Sequence, residues 1–135
     1  MLNTKKYKGP NTKLYKKVAK WFCKRYDINA NIRLFVEREP FFLGSVEYTK
    51  KGNYNLYITT EGSKKLRLQK FLHELWHVKQ MESGMLGKYE FTWAGAEKKY
   101  RKMDYLDLPW EVEAHVVEEL LYDLWRSSCQ KKSIC

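Results

Sequence analysis

The segment from Ser63 to Gly84 constrains the fold of this chain more than any other. Its apolar residues recur at the three- and four-residue spacing of an amphipathic helix, and Gly84 can end such a helix in the left-handed conformation. A helix of this kind must bury one face, so the rest of the chain has to supply a surface for it. The apolar arc of the predicted helix comprises Leu68, Phe71, Leu72, Leu75, Trp76 and Val78.

The residues before this helix predict one further helix and three strands. Residues 12–27 place apolar side chains at helical spacing, with lysines between them. The stretches 31–39, 41–49 and 53–60 are rich in β-branched and aromatic residues, which favour strands. The residues Lys51, Gly52 and Asn53 predict a hairpin turn between the second and third strands.

The C-terminal half predicts a connection and a third helix. Residues 85–108 read as a connection with a short helix over 95–103, and residues 108–127 read as a helix with Pro109 in its first turn. We expect the tail 127–135 to be flexible. The fold class predicted is α+β, in which an N-terminal helix and a three-stranded, mostly antiparallel sheet precede two helices. The length of 135 residues fits one domain, 1–135.

The formal net charge is +10, and lysines are concentrated near the N-terminus. Such an excess raises affinity for polyanions, so nucleic acid is a possible partner of the basic surface. No nucleic-acid-binding motif accompanies the lysines, and we favour a solvated basic face over dedicated nucleic-acid binding.

The cysteines and the hydropathy pattern bear on the compartment. Cys23, Cys129 and Cys135 are odd in number and widely spaced, which argues against a disulfide framework and against a thiolate zinc site. The N-terminus has no apolar core of a signal peptide, and no apolar run approaches the ~20 residues of a membrane span. We expect a cytoplasmic protein.

Two histidines and an acid in the predicted second helix have the spacing of a metal site. His73 and His77 lie about 40° apart around the helix axis, so both imidazoles can chelate one ion. Glu74 lies close enough to accept a proton from a water at that ion. The strand at 53–60, just before this helix, could form a sheet edge to which a peptide adds. The five-residue motif alone also arises by chance on helices with surface histidines.

A catalytic zinc site needs a third protein donor, and the third helix offers candidates in its first turns. These are Glu111, Glu113 and His115. Periodicity places Glu113 inside the edge of the buried stripe and the other two on its opposite flank. Acidic residues in a first turn are also favoured by the helix dipole without any metal. The residues themselves leave the choice open.

The two segments "HELWH" and "EVEAH" together resemble the gluzincin branch of the zincin metallopeptidases. The resemblance implies that Zn²⁺ is held by His73, His77 and Glu111, with Glu74 as the catalytic general base. His115 falls where that family often has Asp or Asn, so it departs from the pattern. His115 and Glu113 remain candidates for orienting a ligand or replacing one.

The resemblance covers residues 60–120 and extends to small zincin-like proteins encoded by bacteriophages and bacteria. It implies a small zincin-like metallopeptidase domain that hydrolyses peptide bonds in a polypeptide substrate, with Tyr100, Tyr105 or His115 as a donor to the oxyanion. The alternative function is a catalytically weak or inactive binding or assembly module with structural zinc. Such a module would bind a partner protein and, if phage-encoded, could be associated with the virion.

Overall fold

The structure is a computed structural model that describes residues 2–3, 12–37, 44–89, 92–96 and 100–132. An N-terminal helix, a mixed sheet and two long helices that pack together confirm the predicted α+β class. In chain order the elements are β1 (Leu2–Asn3), α1 (Thr12–Arg25), β2 (Asn31–Glu37), β3 (Gly44–Lys50), β4 (Asn53–Thr59), α2 (Lys64–Glu82), two 3₁₀ turns (Tyr100–Lys102 and Tyr105–Asp107) and α3 (Pro109–Lys132).

The strand order in the sheet is β1-β2-β4-β3. β2 runs parallel to both β1 and β4, and only the β3–β4 pair is antiparallel. The prediction of three mostly antiparallel strands is therefore corrected to a mixed sheet that includes β1. β3 lies beyond β4 instead of beside β2, so consecutive strands in the sequence are not all neighbours in the sheet.

The hairpin between β3 and β4 is confirmed. Lys51 and Gly52 both have positive φ, 39° and 75°, which is typical of a two-residue turn whose twist matches that of the flanking strands. This turn places β3 at one edge of the described sheet and β4 in its interior. The expectation that residues 53–60 form the sheet edge is wrong, and β3 has that position.

One face of the sheet forms the core with the helices. Alternate residues of β2 and β4 point to this face, because successive side chains of a strand point to opposite sides. From the helices, Val18, Phe22, Phe71 and Leu72 join the same cluster. The core residues of the two strands, each with 0% exposed surface, are Ile32, Leu34, Tyr54, Leu56 and Ile58.

Helix α2 lies at the centre of the molecule. The Ser63 side chain caps it by accepting a hydrogen bond from the Leu66 N–H (3.1 Å), and Gly84 follows it with φ of 82°. The helix contacts α1, α3, β3 and β4. All of residues 71–78 are buried. The centre of α2 is thus covered on every side, and its polar residues need partners inside the protein.

Helix α3 is longer than predicted. It continues to Lys132, and the Trp21 indole N–H donates to Ser128 Oγ (3.2 Å). Cys129 is buried and disulfide-bonded, which the cysteine spacing did not predict. The helix end predicted at 127 is therefore corrected to Lys132, with Ser128 in contact with α1 and Cys129 buried. The flexibility of the tail stays a prediction. Residues 133–135 lie outside the described part.

The described residues of the connection before α3 do not form the predicted short helix. Of the short helix expected over 95–103, the described residues contain one 3₁₀ turn, at Tyr100–Lys102, and residues 97–99 lie outside the described part. None of the helices in the described ranges is long and apolar enough to cross a membrane.

A matched pair of leucine substitutions tests the assignment of the core. Leu56→Ala removes a fully buried side chain from β4 and should lower the free energy of unfolding by about 2–5 kcal/mol. Leu120→Ala removes a side chain that is 57% exposed on α3 and should cost less than about 0.5 kcal/mol. Chemical denaturation measures both values, and similar losses in the two variants would contradict this packing.

Candidate metal centre

His73 and His77 lie one turn apart on α2 and face the start of α3. Their Nε2 atoms are 3.2 Å apart, and Glu111 Oε1 lies 2.9 Å from the first and 3.1 Å from the second. Both rings are buried, with 2% and 5% of their surface exposed. Two imidazole nitrogens and one carboxylate oxygen therefore converge on a single point in the interior.

The first turn of α3 brings Glu111 to this point. Pro109 opens the helix, and the Leu108 carbonyl accepts hydrogen bonds from the N–H groups of Glu111 (3.0 Å) and Val112 (2.9 Å). Burial raises the pKa of Glu111, but contacts with the two histidines and Tyr105 outweigh burial and hold it well below its usual range. The group at the centre of the cluster is therefore a carboxylate anion.

Glu118, two turns further along α3, orients His73. Its Oε1 lies 3.1 Å from His73 Nδ1, and its Oε2 accepts from the Lys70 ammonium at 3.0 Å. Burial raises the pKa of Glu118, but hydrogen bonds from His73 and Lys70 outweigh it and lower the pKa. Because an ionised carboxylate only accepts hydrogen bonds, Nδ1 of His73 carries a proton.

Gln80 orients His77 in the same way. Its side-chain amide nitrogen donates to the Trp110 carbonyl (3.0 Å) and to Glu113 Oε1 (3.2 Å). Its oxygen then faces His77 Nδ1 at 2.7 Å and accepts a hydrogen bond from the N–H there. Both imidazoles thus use Nδ1 as a donor and direct Nε2 to Glu111.

This arrangement suits a cation. Without a metal ion, Nε2 of each ring needs a proton to donate a hydrogen bond to Glu111. Both rings are then cations, and they lie in van der Waals contact. Burial lowers the pKa of His73, but hydrogen bonds to Glu111 and Glu118 outweigh it and raise the pKa to about 9. The pKa of His77 is raised for similar reasons, against the effect of burial. A metal ion can replace both protons, with Nδ1 of each ring held by a hydrogen-bond acceptor as in many metal sites.

Glu74 supplies a further buried acid beside the cluster. Its carboxylate and a ring nitrogen of each of His73 and His77 have ligand atoms within 4.8 Å of one another. Burial raises the pKa of Glu74 to about 7. A Cβ on Gly44, at the start of β3, would lie 3.0 Å from Glu74 Cγ and 3.2 Å from the Tyr57 carbonyl. Glycine therefore lets β3 approach Glu74 closely.

A cleft of about 520 Å³ opens next to these groups. β3 forms one wall, and residues 86–89 form part of the other. The Tyr105 hydroxyl donates to Glu111 Oε1 at 2.9 Å, although 54% of the tyrosine is exposed. The buried cluster is thus accessible from outside along the edge of the sheet. The residues shared by cleft and cluster are Glu74, His77 and Glu111.

The other predicted site residues lie near the cluster but face elsewhere. Glu113 accepts from the Trp76 indole N–H (2.7 Å) and from Gln80. His115 packs its ring against His73 (4.6 Å between centroids) and places Nδ1 3.0 Å from Glu118 Oε1. Tyr100 packs against Trp110 instead of facing the cleft. The structure therefore brings Glu111, and not Glu113, between the histidines.

Sequence reasoning missed Glu118 and Lys70. Glu118 follows Glu111 by seven residues, which places it about 20° from Glu111 around the helix axis and so on the same face of α3. This seven-residue spacing could have predicted that Glu118 lies on the same side of α3 as Glu111. Nothing in the sequence links it to Lys70, three residues before His73 on another helix.

A second group of potential ligands shares His73. His73, His115 and Glu118 also have ligand atoms within 4.8 Å of one another. The Lys70 ammonium lies 3.0 and 3.2 Å from the two oxygens of Glu118, however, so a metal ion there would meet an existing positive charge. The group around Glu111 has no such competitor among the described residues.

The structure thus shows a buried histidine and glutamate cluster that could hold a metal ion. No protein-family model matches the chain, and neither the curated proteins nor the solved structures give a significant match to it.

Two neighbouring glutamates provide a matched test of the cluster. Glu111→Gln removes the charge between the histidines and should weaken metal binding at least 100-fold, because an amide is a poor ligand. Glu113→Gln keeps a hydrogen-bond acceptor for Trp76 and should change the affinity less than about threefold. Titration with Zn²⁺ or Co²⁺ as the probe measures both. Equal losses, or loss only in Glu113→Gln, would contradict the assignment of Glu111.

Metal binding should depend steeply on pH. A pKa of His73 raised to about 9 means that this imidazole is protonated at neutral pH and must lose a proton when the metal binds. Affinity should therefore rise as pH rises from 6 to 8, about tenfold per pH unit for each proton released. Competition with a chromophoric chelator measures it, and a His73→Ala/His77→Ala variant corrects for adventitious binding. An affinity independent of pH over this range would contradict the ring protonation inferred above.

Proposed function

We propose that this protein is a zinc-dependent peptidase of the gluzincin type. His73, His77 and Glu111 are the zinc ligands, and Glu74 is the general base. One observation carries the proposal: two imidazoles with engaged Nδ1 atoms direct Nε2 to one carboxylate, beside a further buried acid at an open cleft.

The donor atoms fit zinc. Bonds of ~2.0–2.1 Å at tetrahedral angles place neighbouring ligand atoms about 3.3 Å apart. The three donor–donor distances here are 2.9, 3.1 and 3.2 Å, so small movements suffice. Two histidines and one glutamate are a ligand set of catalytic zinc sites. When bound, zinc lowers the pKa of a coordinated water to ~7 and polarises a carbonyl group.

Glu74 is suited to transfer a proton during hydrolysis. A pKa raised to about 7 by burial lets the group accept a proton near neutral pH and release it again to a leaving amine. Its carboxylate lies close to both histidines and also lines the cleft, where a substrate would bind. Gly44 lets β3 lie directly against it, without a side chain between them.

The shape of the cleft supports an extended polypeptide substrate. β3 is an edge strand of the described sheet and forms one wall, so a peptide can bind alongside it through main-chain hydrogen bonds. Met81 and Leu86 add apolar surface for a substrate side chain. The Tyr105 hydroxyl, at the rim beside Glu111, is the best placed of the proposed donors to an oxyanion.

A structural zinc module fits the geometry less well. Structural zinc sites are closed by four protein ligands, whereas catalytic sites keep one position open. Three donors converge here next to a cleft, and with Glu74 as the base instead of a fourth ligand, one position at the ion stays open.

The substitution Glu74→Gln tests catalysis separately from metal binding. Gln is similar in size but cannot carry the proton, so the variant should bind zinc and fold as the wild type does while peptide cleavage falls at least 100-fold. Cleavage is followed by mass spectrometry on a mixed peptide library, and zinc content by elemental analysis.

The controls separate the possible results. Glu113→Gln should keep activity within a few-fold of wild type. Zinc-loaded wild-type protein that cuts nothing in the library would favour the binding module, and a Glu74→Gln variant as active as wild type would rule out the proposed base. Protein that binds no zinc would overturn both readings.

A further inference from the structure

The exposed side of α1 concentrates positive charge. At about 100° per residue, five exposed lysines fall within an arc of about 100°. The buried side chains Tyr15, Val18, Ala19 and Phe22 occupy the opposite arc and pack into the core. We call the exposed arc the lysine face, and it consists of Lys13, Lys16, Lys17, Lys20 and Lys24.

The lysine face does not stabilise its own helix. α1 contains no acidic residue, so the helix itself offers Lys13, Lys16 and Lys20 no carboxylate three or four residues away. Lys13 lies in the first turn, where the helix dipole disfavours positive charge. The arrangement repels itself, and helix formation does not account for it.

We propose that the lysine face binds the phosphate backbone of a nucleic acid. The face extends over about 17 Å from Lys13 to Lys24, which spaces the five charges about 4 Å apart along the helix axis. One strand of a nucleic acid carries one phosphate per ~3.4 Å of rise. The two spacings are similar, and three more lysines precede α1 in the sequence, at positions 5, 6 and 8.

The face suits a nucleic acid better than a membrane. A helix that lies on a lipid surface needs exposed apolar side chains to enter the boundary of the bilayer. In α1 the apolar side chains are committed to the core, including Leu14, Trp21 and Cys23, which pack against it while partly exposed. The large exposed hydrophobic residues of the described chain lie on α3 and in the connection before it. The exposed side of α1 therefore offers positive charge without apolar surface, which favours a phosphate backbone over a membrane.

The inference does not depend on the metal centre. No residue of α1 belongs to the cluster or lines the cleft. Nucleic-acid binding and metal binding can therefore be measured, and can fail, separately.

The test compares two charge-reversal variants of the same net charge. Lys13→Glu/Lys16→Glu/Lys20→Glu changes the lysine face, and the acid at position 13 lies in the first turn, where the helix dipole favours it. Lys50→Glu/Lys64→Glu/Lys102→Glu reverses three exposed lysines elsewhere. Affinity for a labelled duplex and single strand of about 20 nucleotides is measured by fluorescence anisotropy between about 50 and 300 mM KCl. Circular dichroism checks that both variants fold.

We expect the wild type to bind with a log–log salt slope of about −3 to −5, as five neutralised phosphates require. Reversal on the lysine face should lower affinity more than tenfold at about 100 mM KCl and make the slope shallower by about 3. The scattered variant should lose less than threefold. Equal losses in the two variants would overturn the proposal, since net charge alone would then explain binding. Binding to phosphatidylglycerol vesicles without binding to nucleic acid, or binding to neither, would also overturn it.

Discussion

Polar side chains can be buried only where each finds a partner, and this requirement determines how α3 lies against α2. The centre of α2 is buried on all sides and includes His73, Glu74 and His77. Glu111 and Glu118 reach both imidazoles of α2 from one face of α3. A shift of α3 by one residue would turn both carboxylates by about 100° and leave several polar groups unpaired in the interior. The position of α3 along α2 and the set of residues that meet in the site therefore depend on each other.

The sequence predicted the parts of this fold that depend on local pattern. Helices α1 and α2 follow from apolar spacing, and the β3–β4 hairpin follows from the residues at its turn. Strand pairing did not follow, because a short apolar stretch does not indicate which neighbour it binds. The end of α3 was misplaced because residues 127–132 are mostly polar and show no apolar helical pattern, although Cys129 among them is buried.

The candidate site was predictable to a similar extent. The two histidines and Glu74 stand in one turn of helix, so their proximity is a local property. The choice between Glu111 and Glu113 is not local: it depends on which side of α3 faces α2, and the residues alone left it open. Gln80 and Glu118 orient the imidazoles through contacts that no sequence motif encodes.

The charges of the cluster suggest why it can exist with or without a metal. Two protonated imidazoles and one divalent ion carry the same charge, so exchanging one for the other leaves the electrostatics of the interior nearly unchanged. Glu111 and Glu118 are ionised in either case, and Lys70 compensates the second of them. The fold therefore does not need to rearrange to accept a cation.

The position of Glu111, 34 residues after His77, has a consequence for the chain entropy of the protein. A metal ion held by both residues closes a covalent loop through the connection between the helices, as a disulfide would. For a loop of this length the chain-entropy model assigns about 4 kcal/mol to such a closure. Residues 86–89, which form a wall of the cleft, belong to that loop. Because this closure acts mainly on the unfolded chain, loading the ion would raise the free energy of unfolding, and the segment that shapes the cleft would lose its freedom chiefly in the unfolded state.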